Sequence, residues 1–451
     1  MQNPSQADSV NLSDKDSSLE ALRNQFDGTP YPRIPIEKDI KERPDLFYSN
    51  SIATAFYRRD FRPVDTAGMT VLDVGCGSGF KALALAHVNP GIKVIGIDLS
   101  PKSIDLARQR ADFWDLGDRL EFQVLNLDDL EELGQTFDYI NCDETLYLCP
   151  NPLASLKVMG KVLKPQGILR ANLHDYNQRM KFLHAQKASK LLDPDSVPNS
   201  QEAIDNCFEL LEFLSPTTFA KGNWLISCAE SKKDHQVERF QAIYLLQGDR
   251  GFTVADTFTL LDQADLNWVG LVAPQRWDWK KLFISDKALP ERLNRTIQEL
   301  SERQQLELID WLAPKNRLID FWCGHASPAG RSPLTEWSLE QWQTSTVALH
   351  PLLQTDDFHQ ALASSARSLR SFNLKEHFPT PKSVTGVNGS VLPALIPLKD
   401  GPKPFNSLVE RLGKARPLNP LTREPVKKEH LVKTMKTLVQ ELEESGYLFV
   451  W

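Results

Sequence analysis

The sequence predicts an α/β protein built on a doubly wound, mostly parallel sheet, and three observations support this. Short β-branched or apolar runs alternate with helical stretches from residue 69 to about 173. Their spacing is that of repeated βα units, which cover both faces of a parallel sheet with helices. A glycine-rich turn joins the first run to the first helix, where such sheets bind ligands. We expect strands at residues 70–74, 93–97, 120–124, 137–140 and 167–170.

The length of 451 residues exceeds that of one ordinary domain, so we expect several units. Polar, aperiodic residues 1–18 predict a disordered leader, and the prolines and glycines of 375–404 predict a linker. Two amphipathic stretches followed by an apolar run predict a small winged-helix-like α+β module over 405–451. The remaining boundaries are an N-terminal helical cap or lid (19–66), the sheet domain with a helical insertion (67–280) and a helical region (281–374).

Composition restricts the kind of protein. Apolar residues make up 41% and charged residues 25%, the balance of a soluble globular protein. The chain shows neither an apolar run long enough to span a bilayer nor a secretory signal at its start, so we expect a cytoplasmic protein. A net charge of −7 makes nucleic acid an improbable partner. The six cysteines lack zinc-binding spacing, so we expect no metal site.

The glycine-rich turn reads Gly75-Cys76-Gly77-Ser-Gly79, directly after a strand that carries Asp73. Glycines suit a tight turn that a ligand approaches closely. The spacing is not that of a dinucleotide-binding loop. A carboxylate at Asp73 would repel a pyrophosphate but would suit the ammonium of an amino-acid-like ligand, whose own carboxylate can meet the helix N-terminus. This combination favours S-adenosylmethionine as the cofactor.

Two further predicted cofactor contacts follow on the next strands. Asp98, with Leu99 beside it, ends the second strand about twenty residues beyond the loop, where an acid can accept both ribose hydroxyls. Asn126 and Leu127 follow the third strand, where they would offer a polar group and an apolar side chain to the adenine. Each site also has a structural explanation, because Asp98 could cap the next helix and Asn126 could be a turn residue. Their occurrence in order on successive strands favours the cofactor.

The ordered set VLDVGCGSG, IGIDLS, LNLDDL and FDYINCDETLYLCPNPLASLKVMGKVLKPQGILR resembles class I, Rossmann-like methyltransferases over about 100 residues. The flanking TPYPRIP and ANLHDYNQRM segments resemble a bacterial, in particular cyanobacterial, branch. The resemblance implies S-adenosylmethionine-dependent methyl transfer, and makes the phycobiliprotein asparagine methyltransferase one possible relative.

The acceptor side departs from the family pattern. In many relatives a pair of histidines follows the fourth strand, but here those positions are Tyr147 and Leu148. The predicted catalytic residues are Glu144, Tyr147 and His174, near the carboxyl edge of the sheet. A packing role for Tyr147 and a loop hydrogen bond for His174 are equally compatible with the sequence.

Three more residues are candidates for binding the acceptor. Tyr31 and Arg33 lie in a proline-stiffened segment that could close over the site, and Tyr176 follows the fifth predicted strand. Arg33 could clamp an anionic group of the substrate. It could equally pair with Glu37.

Three functions remain open from the sequence. The first is methylation of a protein side chain, such as an asparagine amide of a phycobiliprotein, with the C-terminal module docking the target. The second is methylation of a small metabolite, such as a quinone, a lipid precursor or a natural product. The third is a non-catalytic regulatory protein that keeps the cofactor fold, against which the intact glycine loop argues. The sequence does not indicate the oligomeric state.

Overall fold

The computed structural model describes residues 20, 22–24, 26–27, 33–194, 200–220, 240–241, 243–284, 289–418 and 422–451. The described residues form two compact units. Unit 1 comprises Met1–Glu37, Thr70–Ala82 and Val94–Ala326, and unit 2 comprises Lys38–Met69, Leu83–Lys93 and Ser327–Trp451.

The strands are β1 (Thr70–Val74), β2 (Lys93–Asp98), β3 (Leu120–Val124), β4 (Phe137–Cys142), β5 (Leu163–His174), β6 (Asn267–Leu271), β7 (Leu318–Gly324), β8 (Thr346–Leu349), β9 (Phe372–Asn373), β10 (Thr385–Val387), β11 (Lys403–Pro404) and β12 (Leu448–Val450). The α-helices are α1 (Ile52–Asp60), α2 (Phe80–Val88), α3 (Pro101–Phe113), α4 (Pro152–Val162), α5 (Tyr176–Leu192), α6 (Gln201–Phe213), α7 (Val254–Ala264), α8 (Glu291–Glu299), α9 (Glu302–Leu312), α10 (Leu339–Thr344), α11 (Asp356–Ser368), α12 (Phe405–Ala415) and α13 (Lys428–Glu444).

Unit 1 is built on a seven-stranded sheet in the order β3-β2-β1-β4-β5-β7-β6. The pairs β2–β3, β1–β4 and β4–β5 are parallel, whereas β7 runs antiparallel to both β5 and β6. The doubly wound, mostly parallel α/β sheet that the sequence predicts is confirmed. In a parallel sheet the carboxyl ends of the strands share one edge, and ligands bind where the strand order reverses. Here the order reverses between β1 and β4.

The strands form because their apolar runs are buried on both faces. Four of the five residues of β1 and the last eight of β5 are buried. The core includes Leu72, Ile97, Ile140 and Leu169, none more than 1% exposed. A polar side chain in such a strand is therefore taken out of water and needs a partner.

Helix α7 begins at a side-chain cap. Its capping box joins Thr253 to Asp256, and the chain then enters β6. Strand β7 is the last of the seven along the chain, and it lies within residues 281–374, for which the sequence predicts a helical region. The sheet domain consequently extends past the expected boundary at residue 280, because β7 pairs with β5 from Leu318 to Cys323.

Unit 2 contains a three-stranded antiparallel sheet in the order β11-β8-β12 and a two-stranded pair of β9 and β10. Helices α12 and α13 followed by β12 match the two helices and strand that residues 405–451 predict. However, β12 pairs with β8. The structure therefore places the predicted module within a larger unit.

Two other predicted segments are also divided differently. Residues 375–404, expected to be a linker, belong to unit 2 and bury Leu392, Leu395 and Leu398. In the expected lid, α1 belongs to unit 2, where the Tyr57 hydroxyl donates to Glu443 at 2.8 Å. Residues 1–18 lie outside the described residues.

Candidate functional site

The loop that joins β1 to α2 has a backbone shape that glycine adopts readily. Gly75, Gly77 and Gly79 have φ angles of 68°, 52° and 77°, a region that side chains disfavour. A Cβ on Gly75 would lie 2.2 Å from Thr145 Oγ1, and one on Gly79 would lie 2.8 Å from the Cβ of Ala107. Conformation and space therefore both require glycine at Gly75 and Gly79.

Asp73, near the end of β1, presents a buried carboxylate beside this loop. Its Oδ1 accepts a hydrogen bond from Asn141 Nδ2 at 2.7 Å. Its Oδ2 is buried without a partner among the described residues, and burial raises the pKa of Asp73 to about 7. A buried acceptor without a donor is destabilising. A ligand ammonium would supply both the missing donor and a compensating charge.

Asp98, the last residue of β2, is held by two backbone donors. Its Oδ2 accepts from the Gly77 N–H and its Oδ1 from the Ser100 N–H, both at 2.9 Å. Burial raises the pKa of Asp98 above its ordinary value. Because each carboxylate oxygen has a second lone pair, both oxygens can also accept from ligand hydroxyls. The side chain is thus fixed in place beside the glycine loop.

The other predicted cofactor residues have local structural roles as well. Asn126 caps a 3₁₀ helix that begins at Leu127, since its side chain accepts from the Asp128 N–H at 3.2 Å. Cys76 and Leu127 are buried, and Leu99 is half-buried. These contacts hold the backbone that would face the adenine, and leave the assignment of Asn126 and Leu127 a prediction.

The structure brings the three predicted catalytic residues together. The rings of Tyr147 and His174 are stacked, with centroids 3.6 Å apart and an interplanar angle of 20°. The Tyr147 hydroxyl donates to Glu144 Oε2 at 2.8 Å. Glu144 has a φ of 64°, uncommon for a non-glycine residue, and its N–H donates to Asn172 Oδ1 at 2.8 Å.

Two residues that the sequence did not single out complete this cluster. Arg317 donates from both terminal nitrogens to the carboxylate of Glu144, and its Nη1 lies 3.1 Å from His174 Nε2. Asp249 Oδ1 lies 2.7 Å from His174 Nδ1. Burial alone would raise the pKa of Glu144, but Arg317 outweighs it and lowers that pKa. We call Glu144, Tyr147, His174, Asp249 and Arg317 the histidine cluster.

A buried network of charged and amide side chains lies along β4, β5 and β7. Arg170 binds Asp320 through two hydrogen bonds of 3.0 and 2.9 Å and reaches Asn141 Oδ1 at 3.3 Å. Asp143 contacts Lys81 and lies 3.4 Å from Arg170. Burial works to raise the pKa of Asp143, but the charges of Arg170 and Lys81 hold it well below its ordinary value.

The sequence analysis missed this network, although a signal was present. Asn141 lies near the end of β4 and Asp143 directly follows that strand, and Arg170, Asn172 and His174 alternate along the buried half of β5. Side chains two residues apart on a strand share one face of the sheet. Polar residues at period two in a buried strand therefore indicate a shared polar site at its carboxyl end.

The predicted substrate-binding residues are dispersed. Tyr176 begins α5 and is 38% exposed. Arg33 is exposed, and the carbonyls of the residues that follow it, Ile34 and Pro35, accept from Arg110 at 2.8 and 2.9 Å. Tyr31 lies outside the described residues. A role in acceptor binding remains a prediction for each.

Residues 65–241 match the model of a methyltransferase domain family. That span includes the glycine loop, Asp73, Asp98 and the first five strands. A ubiquinone biosynthesis O-methyltransferase from Neisseria meningitidis is 26% identical over 211 residues, which are 47% of this chain and 79% of that protein. An uncharacterized protein from Synechococcus sp. is 26% identical over 339 residues, covering 74% of this chain and 76% of that protein.

Solved structures agree on the fold. PKMT2 from Rickettsia typhi superposes with a TM-score of 0.57 over 90% of this chain and 75% of that chain, at 17% identity. The same protein in complex with AdoHcy superposes with a TM-score of 0.56 over 89% of this chain and 76% of that chain, at 16% identity. The protein is an S-adenosylmethionine-dependent methyltransferase. Within the described residues, the methyltransferase has no helix long and apolar enough to cross a membrane.

The residues of this methyltransferase fit its cofactor. When bound, S-adenosylmethionine supplies a sulfonium-activated methyl group. The unpaired Oδ2 of Asp73 would hold the ammonium, and Asp98 would hold the ribose hydroxyls. The glycine loop admits the ligand close to its backbone. Since methyl transfer is an in-line displacement, the chain's remaining task is to align the acceptor and to take up its proton if it carries one.

Proposed function

We propose that this methyltransferase acts on a protein side chain and that unit 2 recruits the protein that carries it. The observation that carries the proposal is the size of unit 2, which comprises Lys38–Met69, Leu83–Lys93 and Ser327–Trp451. It has its own sheets and a core that includes Trp342, Phe358, Leu408 and Leu442, each at most 1% exposed. A methyl donor site needs none of these residues, because Asp73, the glycine loop and Asp98 all lie in unit 1.

The comparison with the ubiquinone biosynthesis O-methyltransferase supports an added recognition function. The match spans 79% of that protein but only 47% of this chain. The smaller enzyme thus matches less than half of the residues present here. We assign the surplus to the recognition of a large acceptor.

A second candidate is transfer to a hydroxyl of a small metabolite. It is favoured by the name of that same relative, a ubiquinone biosynthesis O-methyltransferase, which is similar to this chain over 211 residues. The acceptor would then be a small hydroxyl compound, as in the second function that the sequence leaves open.

Label tracing separates the two candidates. The protein and methyl-labelled S-adenosylmethionine are incubated with lysate of the source strain from which the gene for this enzyme has been deleted. The lysate is then divided into protein and organic extract. Label in protein is expected, and label confined to the extract would replace the first candidate with the second. Label in neither fraction would contradict both.

The matched control is Asp98→Asn, which keeps the shape of the side chain but removes its charge. It should bind S-adenosylhomocysteine more weakly and label neither fraction. In a parallel experiment the acceptor is purified phycobiliprotein, because the sequence resemblance includes the methyltransferase that acts on its asparagine amide. Transfer to that amide requires a group that polarises a weak nucleophile, and Glu144 is the predicted one. Full activity of Glu144→Gln on a protein acceptor would contradict that role.

A further inference from the structure

His174 is held from both sides by groups that determine where its ring proton lies. Nδ1 is 2.7 Å from Asp249 Oδ1, and Nε2 is 3.1 Å from Arg317 Nη1. A guanidinium nitrogen only donates hydrogen bonds, so Nε2 must be the acceptor and Nδ1 must carry the proton. Asp249 Oδ1 then accepts the hydrogen bond that the Nδ1–H group donates. The neutral imidazole therefore presents a lone pair at Nε2.

The carboxylate behind the ring is itself fixed. The other oxygen of Asp249 accepts from Arg179 and, at 2.9 Å, from Gln186. The side chains of His174 and Asp249 are 1% and 0% exposed. Burial lowers the pKa of His174 although Asp249 acts to raise it, and its hydrogen bond with His174 lowers the pKa of Asp249 despite burial. The pair is thus a neutral imidazole oriented by an anion.

Arg317 is the accessible member of the histidine cluster. Its side chain is 45% exposed, whereas that of Glu144 is 26% exposed. The guanidinium covers Nε2, and its displacement would uncover the lone pair without disturbing Asp249 or Arg179. The charged groups around the ring form two ion pairs, Arg317 with Glu144 and Arg179 with Asp249. An acceptor group therefore need not bring a compensating charge.

We propose that His174 is the general base of the methyl transfer, that Asp249 is its positioning residue, and that the acceptor atom takes the place of Arg317 Nη1 at Nε2. The inference rests on the proposed transfer to an acceptor nucleophile. The acceptor must then be a hydrogen-bond donor. As its heteroatom forms a bond to the methyl carbon, the carbon–sulfur electron pair leaves with sulfur and the acceptor proton passes to Nε2.

This assignment narrows the chemistry of the acceptor. An imidazole can take a proton from a phenolic hydroxyl, whose ordinary pKa is near 10, or from a neutral amine whose nitrogen becomes positively charged as it is methylated. A carboxamide is far less acidic, so the cluster does not suit an asparagine amide. A thioether or tertiary amine, which has no proton to donate to Nε2, does not suit it either. We therefore expect an ionisable O–H or N–H group.

The first test needs no acceptor. Full-length protein labelled with ¹⁵N-histidine is titrated by NMR, free and with S-adenosylhomocysteine, and the His174 signals are identified with His174→Gln. We expect the neutral ring to carry its proton on Nδ1. In Asp249→Asn that ring should protonate at a lower pH, because the anion that stabilises the imidazolium is gone. A neutral ring protonated on Nε2 would overturn the proposal.

The second test measures transfer to whichever lysate fraction accepts label. His174→Gln should lower kcat by about 100-fold or more, while its affinity for S-adenosylhomocysteine stays within about twofold. Imidazole added to His174→Ala should restore part of the rate. Asp249→Asn should move the acid limb of the kcat/KM profile to lower pH. His325→Asn is the control, because His325 bonds the Gly160 carbonyl at 2.8 Å outside the cluster.

The outcomes separate this proposal from the proposed function. Label in protein or in organic extract decides the acceptor class, and either fraction serves for the histidine variants. His174→Gln with the rate of the wild type, or an acid limb that Asp249→Asn does not move, would overturn the role of the cluster alone. Methylated residues in the labelled product distinguish amine from phenol, and a methylated carboxamide would also contradict the inference.

Discussion

The cofactor side and the acceptor side of the sheet treat their carboxylates in opposite ways. Asp73 and Asp98, at the ends of β1 and β2, have raised pKa values because burial outweighs the charges and hydrogen bonds that lower them. Asp143 and Glu144, after β4, have lowered pKa values because Lys81, Arg170 and Arg317 outweigh burial. Burial therefore prevails on the cofactor side, and the cations prevail on the acceptor side.

The difference indicates what each side is prepared to bind. S-adenosylmethionine carries an ammonium and a sulfonium, so its binding would stabilise a buried carboxylate such as Asp73, whose Oδ2 has no partner among the described residues. The acceptor side is neutralised by its own arginines and lysine, so a neutral acceptor can enter it. Two substitutions and one titration test this difference, and the largest effect is expected on the acceptor side.

Arg170→Met should destabilise the protein by about 3–5 kcal/mol, because it leaves buried carboxylates without their cation. Arg170 is 4% exposed and is the bidentate partner of Asp320. Urea unfolding monitored by circular dichroism measures the change. Replacing Asp320 with Asn in the same variant should recover part of the loss, since the unpaired charge is then removed.

The control for this variant is Arg295→Met. Arg295 pairs with Glu291 at 2.8 Å on α8, and both side chains are mostly exposed. Exposed pairs of this kind contribute only about 0.3–0.5 kcal/mol. Equal losses for the two arginines would show that the buried network does not depend on its charges, and the contrast between the two sides would fail.

Gly75→Ala tests the cofactor side, where we expect about a tenfold or greater loss of affinity for S-adenosylhomocysteine. The left-handed backbone costs an alanine about 1–2 kcal/mol, and its Cβ would also displace Thr145. Isothermal titration calorimetry gives the affinity. Gly117→Ala is the matched control, because a Cβ there meets nothing within 4 Å. An unchanged affinity in Gly75→Ala would refute a cofactor role for the loop.

The two sides also differ in how well the sequence predicts them. Asp73, the glycine loop and Asp98 were predictable because backbone shape and position at strand ends impose them locally. The histidine cluster joins His174 to Asp249 and Arg317, which lie 75 and 143 residues further along the chain. No local pattern specifies such a pairing. Alternating polar residues at the end of β4 and along β5 were the available signal, which locates the site but does not identify the partners.

The fold shows the same division between local and distant information. The first five strands follow from apolar runs and βα spacing. Strand β7 did not, since it lies in the predicted helical region 281–374 and enters the sheet from far along the chain. Likewise, β12 has an apolar run of its own, but its partner β8 lies about a hundred residues earlier. The expected domain boundaries moved wherever a distant strand completed a sheet.

The smallest expected effect is a pH dependence of cofactor binding at Asp73. Binding of an ammonium to Oδ2 requires the carboxylate, which is protonated in the free protein below its pKa of about 7. Affinity for S-adenosylhomocysteine should therefore rise with pH from about 5.5 to 7 and then level off, by at most about tenfold per pH unit. Calorimetry in buffers of different ionisation enthalpy should show a proton released on binding at pH 6. Asp73→Asn keeps an acceptor for Asn141 Nδ2 and should flatten this part of the profile, leaving only the contribution of Asp98. A wild-type profile that coincides with that of Asp73→Asn would mean that the carboxylate of Asp73 does not bind the ammonium of the ligand.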